Sequence, residues 1–283
     1  MSSDWTVGKL QRWGVEFLES KNIDEGKTSI DLILCEVMKL ERIELYLKFD
    51  LPLNVFELNQ IKDYIKRLVN NEPLQYILGK SYFYNLEFVV DKNVLIPRPE
   101  TEELVDKIVN DNKDKSDLVV LDIGTGSACI AISLAKNLKK SKVFAIDVSD
   151  SALDIAKTNA RINKIDNIEF YNLNILEKIP KTKFDIIVSN PPYISNDEFG
   201  KLDVTVKDYE PEIALTDYGD GLNFYRRFYE IFDKMLNSDG VFYVENSFEQ
   251  GKDLEKAFKK KYDIEIYKDA SDIDRFMKGR LKA

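Results

Sequence analysis

The chain has 283 residues, 41 Lys and Arg against 50 Asp and Glu, a formal charge of −9 and no histidine. The missing histidine excludes a Ser-His-Asp triad, a Cys-His pair and a His-built zinc site, and no metal site is expected. Proton chemistry must then run through carboxylates, Tyr, Lys or backbone groups, or the reaction must need no general base. A sequence pI near 4.9 argues against a phosphate-backbone binder.

The start, Met1-Ser2-Ser3-Asp4-Trp5, has neither a basic nor an apolar leader segment. No apolar run approaches the roughly 20 residues of a membrane helix. Helices are predicted up to about Asn70. Ile30, Ile33, Leu34, Val37 and Met38 share one helical face. Asn54 is placed to cap a helix through Val69 that carries Val55, Leu58, Ile61, Ile65 and Leu68, and Glu72-Pro73 stops it. The stretch Ser81 to Val90, aromatic and β-branched with Asn85 near its middle, predicts a hairpin or two short strands. A helix is predicted from the segment Ile96-Pro97-Arg98-Pro99 to Val109. The charged stretch Asp111 to Asp117 follows as a solvated loop.

From Leu118 the pattern alternates between strands and helices. Strands are expected at Leu118–Ile123, Val143–Ile146, Ile168–Tyr171, Phe184–Ser189, Val241–Val244, Tyr262–Tyr267 and Arg275–Leu281. Helices are expected after the first strand to about Leu138, then at Ser151–Asn163, Leu222–Leu236 and Phe248–Lys260, with a long irregular stretch before Leu222. This alternation predicts an α/β, doubly wound sheet with ligands at the carboxyl ends of its strands. The two cysteines, Cys35 and Cys129, form no CxxC pair and read as small buried or half-buried thiols in a reducing cytosol.

The turn Asp122-Ile123-Gly124-Thr125-Gly126-Ser127-Ala128 lies between a strand and a helix. Glycines there let a ligand approach the backbone beside the free N–H groups of a helix start. The dinucleotide fingerprint fails because Cys129 takes the third glycine's place, and no Gly-Lys-Ser/Thr follows to make a P-loop. Asp147 ends the second strand about 20 residues further on, where an acid accepts ribose hydroxyls. Asp147 could instead serve the next helix as an N-terminal acid, but Ser149 or Asp150 can fill that role. Together these residues suit a nucleoside cofactor without a required pyrophosphate. S-adenosylmethionine fits that description better than NAD.

Asn190-Pro191-Pro192-Tyr193 follows the strand Phe184–Ser189. The prolines fix the backbone and remove two N–H donors, so the carbonyls of Asn190 and Pro191 can face a ligand. The Asn side chain adds an acceptor and Tyr193 a flat aromatic face. Two acceptors and a ring suit a planar NH₂ group, in an amide or a base, whose nitrogen must be oriented towards a sulfonium methyl. Such a transfer needs no strong base, so histidine is not missed.

At these residues the chain resembles the HemK/PrmC family, the N5-glutamine methyltransferases of peptide chain release factors. The resemblance extends to Glu72-Pro73-Leu74-Gln75-Tyr76-Ile77-Leu78-Gly79 and to Leu95-Ile96-Pro97-Arg98-Pro99-Glu100-Thr101-Glu102. It continues in Tyr209-Glu210-Pro211, Ala214-Leu215, Asp220-Gly221-Leu222, Asp274-Arg275 and Gly279-Arg280-Leu281. It implies a Rossmann-like seven-stranded S-adenosylmethionine-dependent methyltransferase domain over 99–283, an N-terminal helical substrate-recognition domain over 1–72 and a linker with a β-hairpin over 73–98. It further implies that Gly124, Thr125, Gly126, Ser127, Ala128 and Asp147 bind the cofactor, with Asn174 and Ile175 near the adenine. Asn190 would touch cofactor and substrate, and Asn190, Pro191, Pro192 and Tyr193 would hold the glutamine, with Asn190, Pro191 and Tyr193 catalytic.

By the same resemblance the partner is a class I release factor presenting a Gly-Gly-Gln loop, in the cytoplasm, to a monomer. Three positions depart from the family pattern. Asn174 stands where an acid is usual, Asn246 follows Glu245 where many members differ, and Asp272 replaces a common glycine. The rival readings are a ribosomal-protein glutamine methyltransferase, an adenine-N6 DNA methyltransferase and a non-catalytic cofactor-binding scaffold. A DNA enzyme needs a basic, aromatic-lined cleft, and no basic target-recognition segment is evident.

Overall fold

The computed structural model describes residues 5–248 and 250–282. The leader reading at Met1 to Asp4 and position 249 of the helix expected from Phe248 lie outside the described residues. The chain divides between Gly79 and Lys80 into two compact units.

The first unit is helical: α1 (Val7–Glu19), α2 (Gly26–Met38), α3 (Arg42–Leu47), α4 (Val55–Val69) and α5 (Leu74–Leu78). Asn54 caps α4 as expected, with its side chain accepting from the Glu57 N–H while Glu57 reaches back to the Asn54 N–H. Leu10, Leu18, Ile30, Ile33, Leu34 and Ile61 belong to one buried cluster. The fully buried Asp31 is satisfied within the unit by Gln11, Lys27 and Arg42.

The second unit opens with the hairpin β1 (Lys80–Phe83) and β2 (Leu86–Val89), whose turn places Tyr84 and Asn85 at positive φ. Then follow α6 (Pro99–Asn112), β3 (Val119–Ile123), α7 (Cys129–Asn137), β4 (Lys142–Asp147), α8 (Asp150–Ile162), β5 (Ile168–Asn172) and β6 (Phe184–Ser189). The short helices α9 (Asn196–Phe199), α10 (Val204–Lys207) and α11 (Glu212–Leu215) precede α12 (Asn223–Met235), β7 (Leu236–Glu245), α13 (Gly251–Phe258), β8 (Tyr262–Lys268) and β9 (Asp274–Leu281). The seven-stranded sheet has the order β5-β4-β3-β6-β7-β9-β8. Its pairs from β5 to β7 are parallel, and β9 runs antiparallel to both β7 and β8. The chain winds outward from β3 to one side through β4 and β5, then crosses to β6 on the other. The switch point therefore lies between β3 and β6, where a ligand crevice opens in sheets of this kind.

Two local expectations change. Asp111 belongs to α6 rather than to a solvated loop. It accepts from Lys107 Nζ at 2.6 Å, Lys278 Nζ at 2.8 Å and the Tyr243 hydroxyl at 2.9 Å, partners that hold the last helical turn against β7 and β9. The irregular stretch after β6 holds three helices of four residues each, too short to display a 3.6-residue period.

Candidate active site

Register builds the site. Ile123 at the end of β3 lies opposite Ser189 at the end of β6, and the Ser189 hydroxyl donates to the Ile123 carbonyl at 2.8 Å. The glycine turn and Asn190 therefore leave neighbouring strands side by side.

In the turn, the N–H groups of Gly124 and Thr125 both donate to the Ile146 carbonyl, at 2.9 and 3.0 Å. Gly124 takes φ +71° and Gly126 φ +52°, and a Cβ at either would meet no protein atom within 4 Å. The glycines are thus required by backbone conformation and by the room they leave in the cavity, not by protein packing. Ala128 is itself left-handed and buried, and it stands at the N-cap of α7.

The Asp147 carboxylate accepts from the Gly126 N–H and the Ser149 N–H, each at 2.9 Å. Ser149 caps α8 by accepting from the Ala152 N–H, which leaves Asp147 to the cavity. Burial raises the Asp147 carboxyl above its ordinary range, while the N–H groups of Ser149, Gly126 and Val148 pull it back. Beneath the turn, burial pushes Asp122 up to about 7 although the Thr125 hydroxyl donates to it at 2.6 Å. The other Asp122 oxygen has no hydrogen-bond partner among the described residues. Burial also lifts the Cys129 thiol to about 12, which disfavours its thiolate.

A cavity of about 260 Å³ is lined by Gly124, Thr125, Gly126, Ser127 and Asp147 on one side and by Asn190, Pro191 and Pro192 on the other. Asn174 and Ile175 form part of its wall after β5. The Asn174 amide is engaged locally, accepting from the Leu176 N–H and donating to Glu177. Tyr193 lines a smaller adjoining cavity of about 190 Å³ whose wall Asn190 and Pro191 share. Its ring packs against the main core, and burial raises its hydroxyl pKa.

Residues 9–79 match the PrmC N-terminal domain, and residues 114–277 match a methyltransferase domain. The release factor glutamine methyltransferase of Flavobacterium psychrophilum is 44% identical over 259 residues, covering 89% of this chain and 90% of that protein. The one from Geobacter sulfurreducens is 35% identical and covers 98% and 97% respectively. The chain belongs to the release factor glutamine methyltransferase family. Among solved structures, a ribosomal protein L11 methylase from Lactobacillus delbrueckii subsp. bulgaricus is similar in fold, with TM-score 0.50, 23% identity and coverage of 67% of this chain and 82% of that one.

Several sequence features of this glutamine methyltransferase family member acquire physical roles. The Arg98 guanidinium pairs with the buried Glu210 at 2.6 Å, and the other Glu210 oxygen accepts from the Ile96 N–H at 3.1 Å. The proline-marked segment and the Tyr209-Glu210-Pro211 loop are thus one clamp across the cavity rim. Gly221 takes φ +79°, and a Cβ there would stand 2.3 Å from the Tyr193 carbonyl oxygen. Gln250 bridges that carbonyl and the Gly221 carbonyl, at 3.1 and 3.2 Å. Asp272 takes φ +63°, a left-handed conformation that glycine adopts at less cost.

Sequence reasoning assigned no role to Asn159. Its side chain pairs with both the N–H and the carbonyl of Val89 and donates to the Ser127 carbonyl at 2.9 Å, so it ties the hairpin to the glycine turn. Nor did it assign one to Thr101 or Glu245, which contact Asn190 directly and in series. An Asn inside an amphipathic helix and an acid ending an apolar strand are the local signals that could have marked Asn159 and Glu245.

Proposed function

We propose that this chain methylates N5 of the glutamine in the Gly-Gly-Gln motif of class I release factors, with S-adenosylmethionine as donor. The observation that carries this reading is the β3–β6 register, which brings the glycine turn and the Asn-Pro-Pro-Tyr strand exit onto one cavity.

The residues present fit the cofactor. Gly124 and Gly126 leave open space, the Asp147 carboxylate retains lone pairs for ribose hydroxyls, and Ile175 offers an apolar wall for a base. When bound, S-adenosylmethionine supplies an electrophilic methyl group. The Asn190 side-chain oxygen and the Pro191 carbonyl accept the two amide N–H groups of the glutamine and aim its nitrogen. As that nitrogen gains positive charge, the same preorganised acceptors stabilise it, and one N–H proton leaves afterwards. Tyr193 closes the glutamine side of the site against water. No residue here has to act as a strong base.

The helical domain 1–72 then serves to recognise the release factor, with 73–98 as linker, and a cytoplasmic monomer suffices. The acidic chain gives an adenine-N6 reading no support.

The test is methyl transfer from labelled cofactor to a release factor and to its Gln→Ala variant in the Gly-Gly-Gln loop. Label is expected on the first alone. Label persisting on the Ala variant refutes the assigned target.

A further inference from the structure

Asn190 is useful only if its amide is the right way round. An acceptor turned towards the substrate NH₂ aims it, whereas a donor there repels it. Nothing in an isolated Asn decides between the two orientations, so the surroundings must.

The Asn190 amide nitrogen donates to the Thr101 hydroxyl oxygen at 3.2 Å, and the Thr101 hydroxyl donates to Glu245 at 2.8 Å. Thr101 and Glu245 are each 2% exposed, so the two side chains meet away from bulk solvent. Thr101 comes from the first turn of α6, and Glu245 ends β7, where Val244 pairs with Ser189 and so brings the acid beside Asn190. The Glu245 carbonyl is held in turn by the Tyr225 hydroxyl at 2.8 Å.

A threonine hydroxyl carries one proton, and an ionised carboxylate accepts without donating. An ionised Glu245 therefore accepts the hydrogen bond that the Thr101 hydroxyl donates, and the lone pair left on Thr101 can meet only a donor. We propose that Thr101 and Glu245 form a positioning relay that fixes the polarity of the Asn190 amide, leaving its oxygen for the substrate glutamine. The proposal rests on the reading that Asn190 receives that glutamine.

Protonation of Glu245 would reverse the chain, since a carboxylic acid can donate to Thr101 and free its proton for the Asn190 oxygen. The groups around Glu245 are Thr101 and Glu100 from α6, Cys129 from α7, Tyr193 after β6 at 3.5 Å, Tyr225 from α12 and Arg275 from β9. Burial drives the Glu245 carboxyl up to about 7, against the pull of Thr101 and Arg275. The kcat of the unsubstituted enzyme should accordingly fall as pH drops through this value, and that of Glu245→Gln should not follow the same titration.

The experiment measures methyl transfer to the release factor for the unsubstituted enzyme, Thr101→Val, Thr101→Ser, Glu245→Gln and the Val/Gln double variant, with cofactor affinity by calorimetry. Thr101→Val and Glu245→Gln are each expected to lose about 100-fold in kcat with cofactor affinity within about threefold. Thr101→Ser, which keeps the hydroxyl, should stay within about threefold of the original, and the double variant should be no worse than the poorer single one. Equal turnover by Thr101→Val, an equal defect in Thr101→Ser, or losses that multiply in the double variant would overturn the relay. If Thr101→Val does not fold, Thr101→Ser and the pH profile decide, a flat profile of the unsubstituted enzyme refuting the relay. An unsubstituted enzyme that transfers no methyl to the release factor refutes the glutamine reading, and the relay with it. Transfer with an unimpaired Thr101→Val refutes the relay alone.

Discussion

The two halves of the cavity are made in different ways. The half at the ends of β3 and β4 is built mainly from backbone: two glycines at positive φ, paired N–H groups on the Ile146 carbonyl, and one carboxylate that bonds main-chain donors. The half at the ends of β6 and β7 is built from side chains drawn from α6, β7 and the segment before α13, which meet around Asn190 and Tyr193. A backbone-built half depends on conformation within one short segment. The side-chain half depends on contacts between residues far apart in sequence, so single substitutions there should act mainly on turnover rather than on cofactor binding.

The largest effect should come from Asn190→Ala. It is expected to lower kcat about 1,000-fold while cofactor affinity stays within about threefold, read by labelled transfer and by calorimetry. Turnover close to that of the unsubstituted enzyme would remove the distinction between the halves. Next is Gly221→Ala, which puts a Cβ 2.3 Å from the Tyr193 carbonyl oxygen in a left-handed residue. Denaturant unfolding should show a loss of about 2–4 kcal/mol, and a change under about 0.5 kcal/mol would mean that the loop gives way without cost.

Asp147→Ala should weaken cofactor binding by about 2 kcal/mol, roughly 30-fold, with saturated turnover little changed. Unchanged affinity by calorimetry would deny Asp147 a ribose role. The smallest effect is expected from Gly126→Ala, a stability loss of about 1 kcal/mol from its φ of +52°, because no protein atom opposes the new Cβ. A loss several times larger would show that the turn is packed more tightly than its open surroundings imply.

Legibility in sequence follows the same division. The central strands β3, β4 and β6 could be placed because a buried parallel strand is a short apolar run, and the glycine turn and Asp147 could be placed because each sits at such a run's end. The Asn54 cap was legible for the same reason, since cap and helix are contiguous. The end of α6 was not, because the charges of Asp111 are answered by Lys278 and Tyr243, far along the chain. Thr101 and Glu245 are 144 positions apart, and no local pattern announces that a helix threonine will stand between an acid and an amide. Gly221 could be read as a family feature but not as the residue that lets a loop lie against the Tyr193 carbonyl.

The contact between Asp147 and the Gly126 N–H also bears on which nucleotides the cavity admits. A helix start behind a glycine turn attracts phosphate, because its N–H groups and dipole favour negative charge. Here the donor that a phosphate would seek is already taken by a carboxylate at 2.9 Å. A nucleotide bearing a diphosphate or triphosphate would meet an occupied donor and a like charge at the same point. On this contact a phosphorylated adenosine compound is expected to bind the turn less well than an uncharged ribose. A carboxylate at the mouth of the turn would in that case act by repulsion as well as by accepting hydrogen bonds.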